Sequence, residues 1–380
     1  MLLQTRTWSC FVAESHNRLG APQARPPEPG PTRGSRAWGP ERSGATGPRE
    51  RRRGGAAGAK PPGSVLNRRE FLGAGACAAL AAFAHALPGD KMRYAMSGHQ
   101  FRTTPPHPET GIRMTAQYGY HGLEPFQEDV AKYLDRPPQD LKKVLDASGL
   151  ALCTIGSGGQ YFNPTGLQQT IASNRARARY IASFGCKHLK VNLSRRVSAA
   201  NLSAENARTL ARNLDEVGKR TADEGIKFAF HPHCWTLVER QPELNRIMDL
   251  TNPELVFLVL DTGHATLGGI DPVQCLRDYY SRVAAIHLKD TEPKYNTANG
   301  WKGPAPSEEE HNRVNLYKRL GTGGVDFPAF FAVLRERQYA GWVTLDFDAP
   351  RPGEGTVEQD MNRHKKYLLE TLHAKLRTSN

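Results

Sequence analysis

The sequence predicts a single (β/α)8 barrel over residues 87–380, from three observations. Short β-rich runs alternate with longer helical runs from Lys91 onward, as in a parallel sheet with helical crossovers. Eight such pairs can be counted, and barrels of about 250 residues fold as one unit. Polar side chains stand at the carboxyl ends of several strands, which is where barrel active sites lie.

The predicted strands are short, rich in β-branched or aromatic residues, and closed by turn-forming or polar residues. They are Arg93–Ser97, Gly122–Phe126, Ala151–Ile155, His188–Asn192, Lys227–His231, Val256–Asp261, Val283–Leu288 and Trp342–Phe347. Helices are predicted near 108–118, 139–148, 167–184, 204–224, 241–250, 271–281, 326–338 and 356–376. Asp271 and Asp326 are predicted helix caps, and Gly149, Gly185 and Gly225 are predicted left-handed residues after helices.

The segment before the barrel divides into two parts. Residues 1–64 are crowded with Pro, Gly, Ala and Arg and have no apolar period, which predicts a disordered extension. Residues 65–86 combine Arg68-Arg69, a weakly apolar run and the small residues Ala84-His85-Ala86, and they resemble a twin-arginine signal peptide. The resemblance implies export by the twin-arginine (Tat) machinery to the periplasm. An alternative start of translation near Val65 would leave residues 1–64 untranslated.

Charge and cysteine content exclude several classes of protein. Residues 1–86 carry 13 Lys/Arg against 5 Asp/Glu, so most of the net charge of +13 belongs to the amino-terminal segment. The barrel region is only mildly basic, and no nucleic-acid partner is predicted. The apolar run of residues 73–84 is too short for a permanent membrane anchor. The six cysteines form no C-x-x-C motif, and a homo-oligomer is left open.

Acids and imidazoles at the ends of successive strands predict a metal site. They are Glu124, His231 with His233, Asp261 with His264, His287 with Lys289 and Asp290, and Asp346. The carboxyl ends of barrel strands face one mouth, so these side chains are expected to converge there. Imidazole and carboxylate without thiolate suit a divalent ion, and Mn, Zn, Co, Fe and Mg all stay open.

Four motifs resemble the xylose isomerase-like barrel superfamily of sugar isomerases, epimerases and inosose dehydratases. In chain order they are Leu260-Asp261-Thr262-Gly263-His264, Ile286-His287-Leu288-Lys289-Asp290, the glycine-rich turn 320–326 and the run 339–346. In that family a metal is held by a Glu, an Asp, a His and a Glu after strands five to eight. The resemblance therefore implies metal binding by Asp261 and His287, with His231 and Asp346 at the two glutamate positions.

The departures at His231 and Asp346 bear on the reaction. The family's epimerases use both glutamates for proton transfer, whereas His231-Pro232-His233 resembles the histidine pair of the inosose dehydratase branch. The leading interpretation is a sugar or keto-sugar isomerase/epimerase that forms a metal-stabilised enediolate. A carbohydrate lyase of the inosose dehydratase type and a non-catalytic periplasmic sugar-binding protein are the alternatives. An endonuclease would need more His and Glu ligands than the sequence offers.

The remaining polar and aromatic residues are assigned by position. Proton transfer is predicted for Glu239, His233 and Lys289, and substrate contact for Glu124, His264, Asp290, Trp235 and Trp301. The two tryptophans can stack on a sugar ring, and Trp301 lies in a long loop, 291–325, that can close over substrate.

Overall fold

The computed structural model describes residues 91–102, 108–196 and 202–378, and the predicted extension and signal peptide lie outside them. Eleven strands occur there: β1 Arg93–Ser97, β2 Gly122–Glu124, β3 Ala151–Leu152, β4 Gly156–Ser157, β5 His188–Asn192, β6 Lys227–His231, β7 Val256–Asp261, β8 Val283–Leu288, β9 Asp290–Thr291, β10 Tyr317–Lys318 and β11 Trp342–Leu345. Across these ranges no helix combines the length and apolar character that a membrane crossing requires.

Nine of the strands form one parallel sheet in the order β3-β2-β1-β11-β8-β7-β6-β5-β4. Its two end strands, β3 and β4, are separated by only residues 153–155. The N–H of Cys153 donates to Leu123 O on one side, and Thr154 Oγ1 donates to His188 O on the other. The third strand thus pairs with both neighbours, which closes the sheet and confirms the predicted (β/α)8 barrel.

Helices lie between the strands, and their bounds follow local sequence signals. They are α1 Pro108–Gln117, α2 Gln127–Leu134, α3 Pro138–Ala147, α4 Pro164–Ala182, α5 Ala204–Ala222, α6 Gln241–Leu250, α7 Thr262–Leu267, α8 Pro272–Tyr279, α9 Glu308–Val314, α10 Phe327–Glu336 and α11 Val357–Glu370. Asp271 and Asp326 cap α8 and α10 as predicted, and Gly149, Gly185 and Gly225 have positive φ.

Several predicted boundaries are wrong. The strand predicted to reach Phe126 ends at Glu124, because Pro125 has no N–H for the ladder. The strand predicted over 151–155 is two short pieces, and the last strand ends at Leu345 rather than Phe347. Three short helices, α2, α7 and α9, were not predicted, since each is a brief segment inside a connection.

The barrel interior is built in layers that the two-residue period of the strands sets. An apolar layer fills the interior toward the amino ends of the strands: Ala95, Cys153, Ala229, Phe257, Val259, Ala285 and Trp342. Residues two positions further along a strand point to the same side. The next layer therefore holds Ser97, His231, Asp261, His287 and Thr344, so the polar side chains sit directly above a closed apolar floor.

Candidate metal centre at the carboxyl end of the barrel

Three of the predicted ligands converge on one point. Each of His231, Asp261 and His287 contributes a donor atom, and the three atoms lie within 4.8 Å of one another. Asp261 Oδ2 is 3.5 Å from His231 Nε2 and 3.8 Å from His287 Nδ1. Asp346 Oδ2 adds a fourth donor atom, 3.4 Å from His287 Nδ1. The structure thus brings together all four residues at which the sequence predicted a metal ion.

Hydrogen bonds outside the cluster decide which nitrogen each ligand imidazole turns inward. His231 Nδ1 lies 3.2 Å from Asn192 Oδ1, and His287 Nε2 lies 2.9 Å from Glu124 Oε2. Both partners are acceptors, so these nitrogens carry the ring protons. In the neutral rings the other nitrogens, Nε2 of His231 and Nδ1 of His287, carry the lone pairs and face the carboxylate of Asp261. A partner behind the ring that fixes the tautomer is typical of metal-binding histidines.

The inward-facing donor atoms have no hydrogen-bond partners among the residues that the structure describes. His231 Nε2, Asp261 Oδ2 and His287 Nδ1 are all buried and form no hydrogen bond with a described residue. Buried polar atoms are nearly always satisfied, and electron pairs brought this close repel unless a cation lies among them. Two imidazole nitrogens and two carboxylates fit a borderline divalent ion such as zinc, manganese, cobalt or iron.

His264 lies at the same mouth but presents a proton instead of a lone pair. The backbone N–H of Cys234 donates to His264 Nδ1 at 3.5 Å, and Tyr317 Oη lies 2.9 Å from the same nitrogen. Since a backbone N–H can only donate, Nδ1 is an acceptor and Nε2 carries the proton. His264 can also be grouped with Asp261 and Asp346 as a ligand set, but this tautomer opposes it.

His233 has the opposite arrangement. Its Nδ1 lies 2.8 Å from the carbonyl oxygen of Cys234, which can only accept, so Nδ1 carries the proton and Nε2 is the acceptor. The ring stacks on His264 with centroids 3.5 Å apart and planes inclined by 32°. One stacked pair thus presents both an acceptor nitrogen and an N–H beside the ligands.

The charges of the site follow from burial and neighbours. Burial lowers the pKa of His231 to about 4 and that of His233 to about 3, which keeps both rings neutral. Burial also opposes a charge on His287, but the carboxylates of Glu124 and Asp346 outweigh it and raise its pKa to about 9. In the metal-free protein His287 therefore carries a second proton, on Nδ1, and a bound metal would displace that proton.

Lys289 stays charged at the mouth. Its Nζ is 3.3 Å from Asp346 Oδ2 and 4.4 Å from the centre of the Tyr317 ring. Burial opposes the charge, yet Asp346 and its acidic neighbours keep the pKa of this ammonium above its usual range. The group is therefore a cation and a hydrogen-bond donor.

Comparisons with known proteins agree with this architecture. A family model described as "Xylose isomerase-like TIM barrel" matches residues 112–367, more than half of the chain. The chain belongs to this family. An inosose dehydratase of Geobacillus kaustophilus is 28% identical over 243 residues, covering 61% of this chain and 77% of that enzyme. One of Clostridium perfringens is 32% identical over 169 residues, but that match covers 44% of this chain and only 56% of the enzyme.

Solved structures of this xylose isomerase-like family share the fold. The IOLI protein with a bound zinc atom superposes with a TM-score of 0.59 at 17% identity, covering 73% of this chain and 97% of that one. The probable 3-DHS dehydratase AsbF from Bacillus anthracis gives 0.58 at 14% identity, covering 74% and 100%. At these identities the superpositions establish the common barrel.

Three residues with predicted roles in substrate or proton handling are occupied by structural contacts. Glu239 accepts from the N–H of Trp235 at 2.6 Å and of Ala305 at 2.9 Å, so it ties two loops together. Trp235 Nε1 donates to Pro306 O, and Trp301 Nε1 donates to Leu267 O. The indole N–H groups therefore anchor the 291–325 loop.

Asp290 is directed away from the metal donors. Its carboxylate accepts the backbone N–H groups of Thr291, Gly321, Gly323 and Val325 at 2.9–3.1 Å. A Cβ on Gly323 would approach this carboxylate to 2.3 Å, which explains the glycine. Asp290 therefore shapes the glycine-rich turn, and the structure does not place it with the metal-site cluster.

Glu124, a predicted substrate contact, lies behind a ligand. One carboxylate oxygen contacts His287 Nε2, and the other pairs with the buried ammonium of Lys190. These two partners occupy both oxygens, so Glu124 orients His287.

Sequence reasoning missed Asn192, Lys190, Tyr317 and His99 as site residues. Asn192 and Lys190 lie on β5. Asn192 is the last residue of that strand, and this position at a strand end could have indicated a site residue. His99 Nδ1 is 3.6 Å from Asp346 Oδ1, just after β1. Tyr317 lies in the long 291–325 loop, and the sequence of that loop does not indicate where the ring is placed.

Proposed function

We propose that this chain is a metal-dependent carbohydrate lyase that removes water from a keto-polyol or keto-sugar. The observation that carries the proposal is the stacked pair His233 and His264, an acceptor and a donor beside four metal ligands. Elimination next to a carbonyl needs a base for the C–H proton and a donor for the carbonyl oxygen, and the pair supplies both.

The ligands His231, Asp261, His287 and Asp346 would hold the ion. When bound, a divalent cation polarises the carbonyl and hydroxyl oxygens of the substrate and offsets the negative charge that develops there. The N–H of His264 donates to the substrate's carbonyl oxygen, and the apolar floor excludes water from below.

His233 carries the proton through the reaction. Its Nε2 takes a proton from the carbon next to the carbonyl, and the electron pair of that C–H bond forms the new double bond. The C–O bond of the neighbouring hydroxyl breaks, and the same nitrogen returns the proton to the departing oxygen. Water leaves, the base is restored, and the substrate is neither oxidised nor reduced.

The curated relatives support this choice of reaction. The Geobacillus kaustophilus enzyme, matched over 77% of its length, is an inosose dehydratase, and so is the Clostridium perfringens enzyme. A dehydratase also fits the replacement of the family's two glutamates by His231 and Asp346.

An isomerase or epimerase, the leading interpretation of the sequence, is the second candidate. Lys289 favours it, because this ammonium contacts Asp346 and can return a proton from outside the stacked pair. Glu239 opposes it, since two backbone N–H groups occupy its carboxylate. With His233 and His264 stacked, their two rings approach substrate from one side, which suits elimination better than epimerisation.

Incubating metal-loaded protein with keto-polyols and keto-sugars in D2O distinguishes the candidates. A lyase yields an unsaturated carbonyl product that absorbs in the ultraviolet, whereas an isomerase or epimerase yields a deuterated isomer without such absorbance. His233→Gln should abolish both product formation and C–H exchange while metal content stays the same. His311→Gln, at a half-buried histidine of the same mouth, is the control and should turn over normally. Deuterated isomer without absorbance, or an active His233→Gln, would contradict the proposal.

We also propose that Arg68 and Arg69 direct export to the periplasm. Support comes from the sequence alone, through the paired arginines, the weakly apolar run and the small residues at 84–86. Transport in the folded state suits an enzyme that acquires its metal before crossing the membrane.

A further inference from the structure

We infer that Tyr317 is a positioning residue that locks His264 in the tautomer with a proton on Nε2. The inference rests on the proposed function, in which that N–H contacts the substrate's carbonyl oxygen. Tyr317 acts through His264 and needs no contact with substrate.

Tyr317 lies in the 291–325 loop, where a short two-stranded antiparallel pairing holds its backbone. Strands β9 and β10 pair antiparallel, with Tyr317 opposite Thr291 and Lys318 opposite Asp290. Three of the N–H groups that donate to the Asp290 carboxylate, those of Gly321, Gly323 and Val325, belong to the turn that follows β10 and hold it in place. The position of the Tyr317 ring is therefore set by the pairing of β9 with β10 before this turn and by the hydrogen bonds of the Asp290 carboxylate within it.

Contacts around the ring direct its hydroxyl at one atom. Tyr317 is only 6% exposed, and its Oη lies 2.9 Å from His264 Nδ1. The Lys289 ammonium lies over the ring face at 4.4 Å, an attractive contact that fixes the ring plane. The backbone N–H of Cys234 also points at Nδ1, but at 3.5 Å this hydrogen bond is long. Because the N–H of Cys234 makes Nδ1 an acceptor, the Tyr317 hydroxyl donates to it, and this is the shorter of the two hydrogen bonds.

The other tautomer would harm the site. With the proton on Nδ1, His264 Nε2 would offer a lone pair to the pocket that Asp261 and Asp346 share. The site would then lose its donor for the carbonyl oxygen and gain a competing metal ligand. His264 Nε2 is buried and has no partner among the described residues, which is consistent with a donor that awaits substrate.

Nuclear magnetic resonance of 15N-histidine-labelled protein, loaded with diamagnetic Zn²⁺, tests the tautomer directly. In the parent protein, the His264 resonances, assigned by their absence in His264→Gln, should show a protonated Nε2 and an unprotonated Nδ1. Tyr317→Phe should shift the Nδ1 signal and populate the second tautomer. Unchanged ring signals in this variant would overturn the inference.

Kinetics provide a second readout. Tyr317→Phe should lower kcat roughly 10-fold, as loss of a partner behind a functional histidine does, and leave KM within about twofold. Tyr120→Phe is the matched control, because Tyr120 is equally buried and its hydroxyl is unpartnered in the described structure. Its kcat and ring signals should match the parent. Should the parent show no dehydratase activity, the proposed function fails, while the resonance experiment still tests the tautomer.

Discussion

Removing the charge of Glu124 should weaken metal binding, although Glu124 is not a ligand. Glu124→Gln keeps an acceptor for His287 Nε2 but loses the negative charge. The hydrogen bond is 2.9 Å long between two buried groups, and a bond of this kind to a charged partner contributes about 1.5–3 kcal/mol. Since 1.36 kcal/mol corresponds to a factor of about ten, the Kd for Zn²⁺ should rise about 10- to 100-fold.

The assay is competition for Zn²⁺ against a coloured chelator at fixed pH. Glu124→Gln alone leaves the buried Lys190 ammonium without its carboxylate, which lowers the unfolding free energy by about 3 kcal/mol. The double variant E124Q/K190M removes both charges and separates lost affinity from lost stability. It should bind Zn²⁺ as weakly as the single variant while recovering thermal stability.

Glu243→Gln is the control. Glu243 is also a buried carboxylate, paired with Arg196 and Arg240, but it does not contact the metal ligands. This variant should be less stable and bind Zn²⁺ with the parent Kd. Parent affinity in both E124Q and E124Q/K190M would refute the idea that Glu124 orients His287.

Three further outcomes are expected. Asp290→Asn should lower the unfolding free energy by about 2 kcal/mol and speed amide exchange at residues 321–325, because an amide cannot accept all four N–H groups; unchanged exchange would contradict this. Burial lowers the pKa of His364 to about 3, so between pH 6.5 and 3 the unfolded chain binds a proton that the folded chain does not. The free energy of unfolding therefore decreases as the pH is lowered through this range. Chemical denaturation of His364→Leu should show about 2.3 kcal/mol less of this loss between pH 6.5 and 4.5, whereas parallel curves would argue against it. Lysine at both Arg68 and Arg69 should retain the protein in the cytoplasm on cell fractionation, and unaltered export would rule out the signal.

The positions of the metal ligands follow from strand periodicity. Val259 and Asp261 lie two residues apart on one strand, and so do Ala285 and His287, so each pair shares the inward face. An apolar residue followed two positions later by an acid or imidazole at a strand end is visible in sequence. The convergence of these side chains could therefore be predicted before any geometry was known, and the family resemblance then implied the ligand set.

The roles of loop residues could not be obtained in that way. Glu239 and Asp290 are carboxylates near strand ends, as Asp261 is, but their oxygens are occupied by backbone N–H groups, most of them in the 291–325 loop. Almost every residue has a backbone N–H group, so no pattern of residue types in the sequence shows which of these groups will bind a given carboxylate. The role of Trp301, substrate contact or loop anchor, could not be decided from the sequence for the same reason, because the partner of its indole N–H is a backbone carbonyl of α7.

The sequence by itself determined the barrel and the gathering of acids and imidazoles at its carboxyl end, since both depend on local periodicity, and the family resemblance implied which four of them hold a metal. Only the tertiary structure decided which nitrogen of each histidine faces the pocket. That choice depends on Asn192 for His231, on Glu124 for His287, and on Cys234 and Tyr317 for His264, partners that are 39, 163, 30 and 53 positions away. The sequence of a histidine is the same for both tautomers, and the position of its ring proton is set by neighbouring residues that only folding brings into contact.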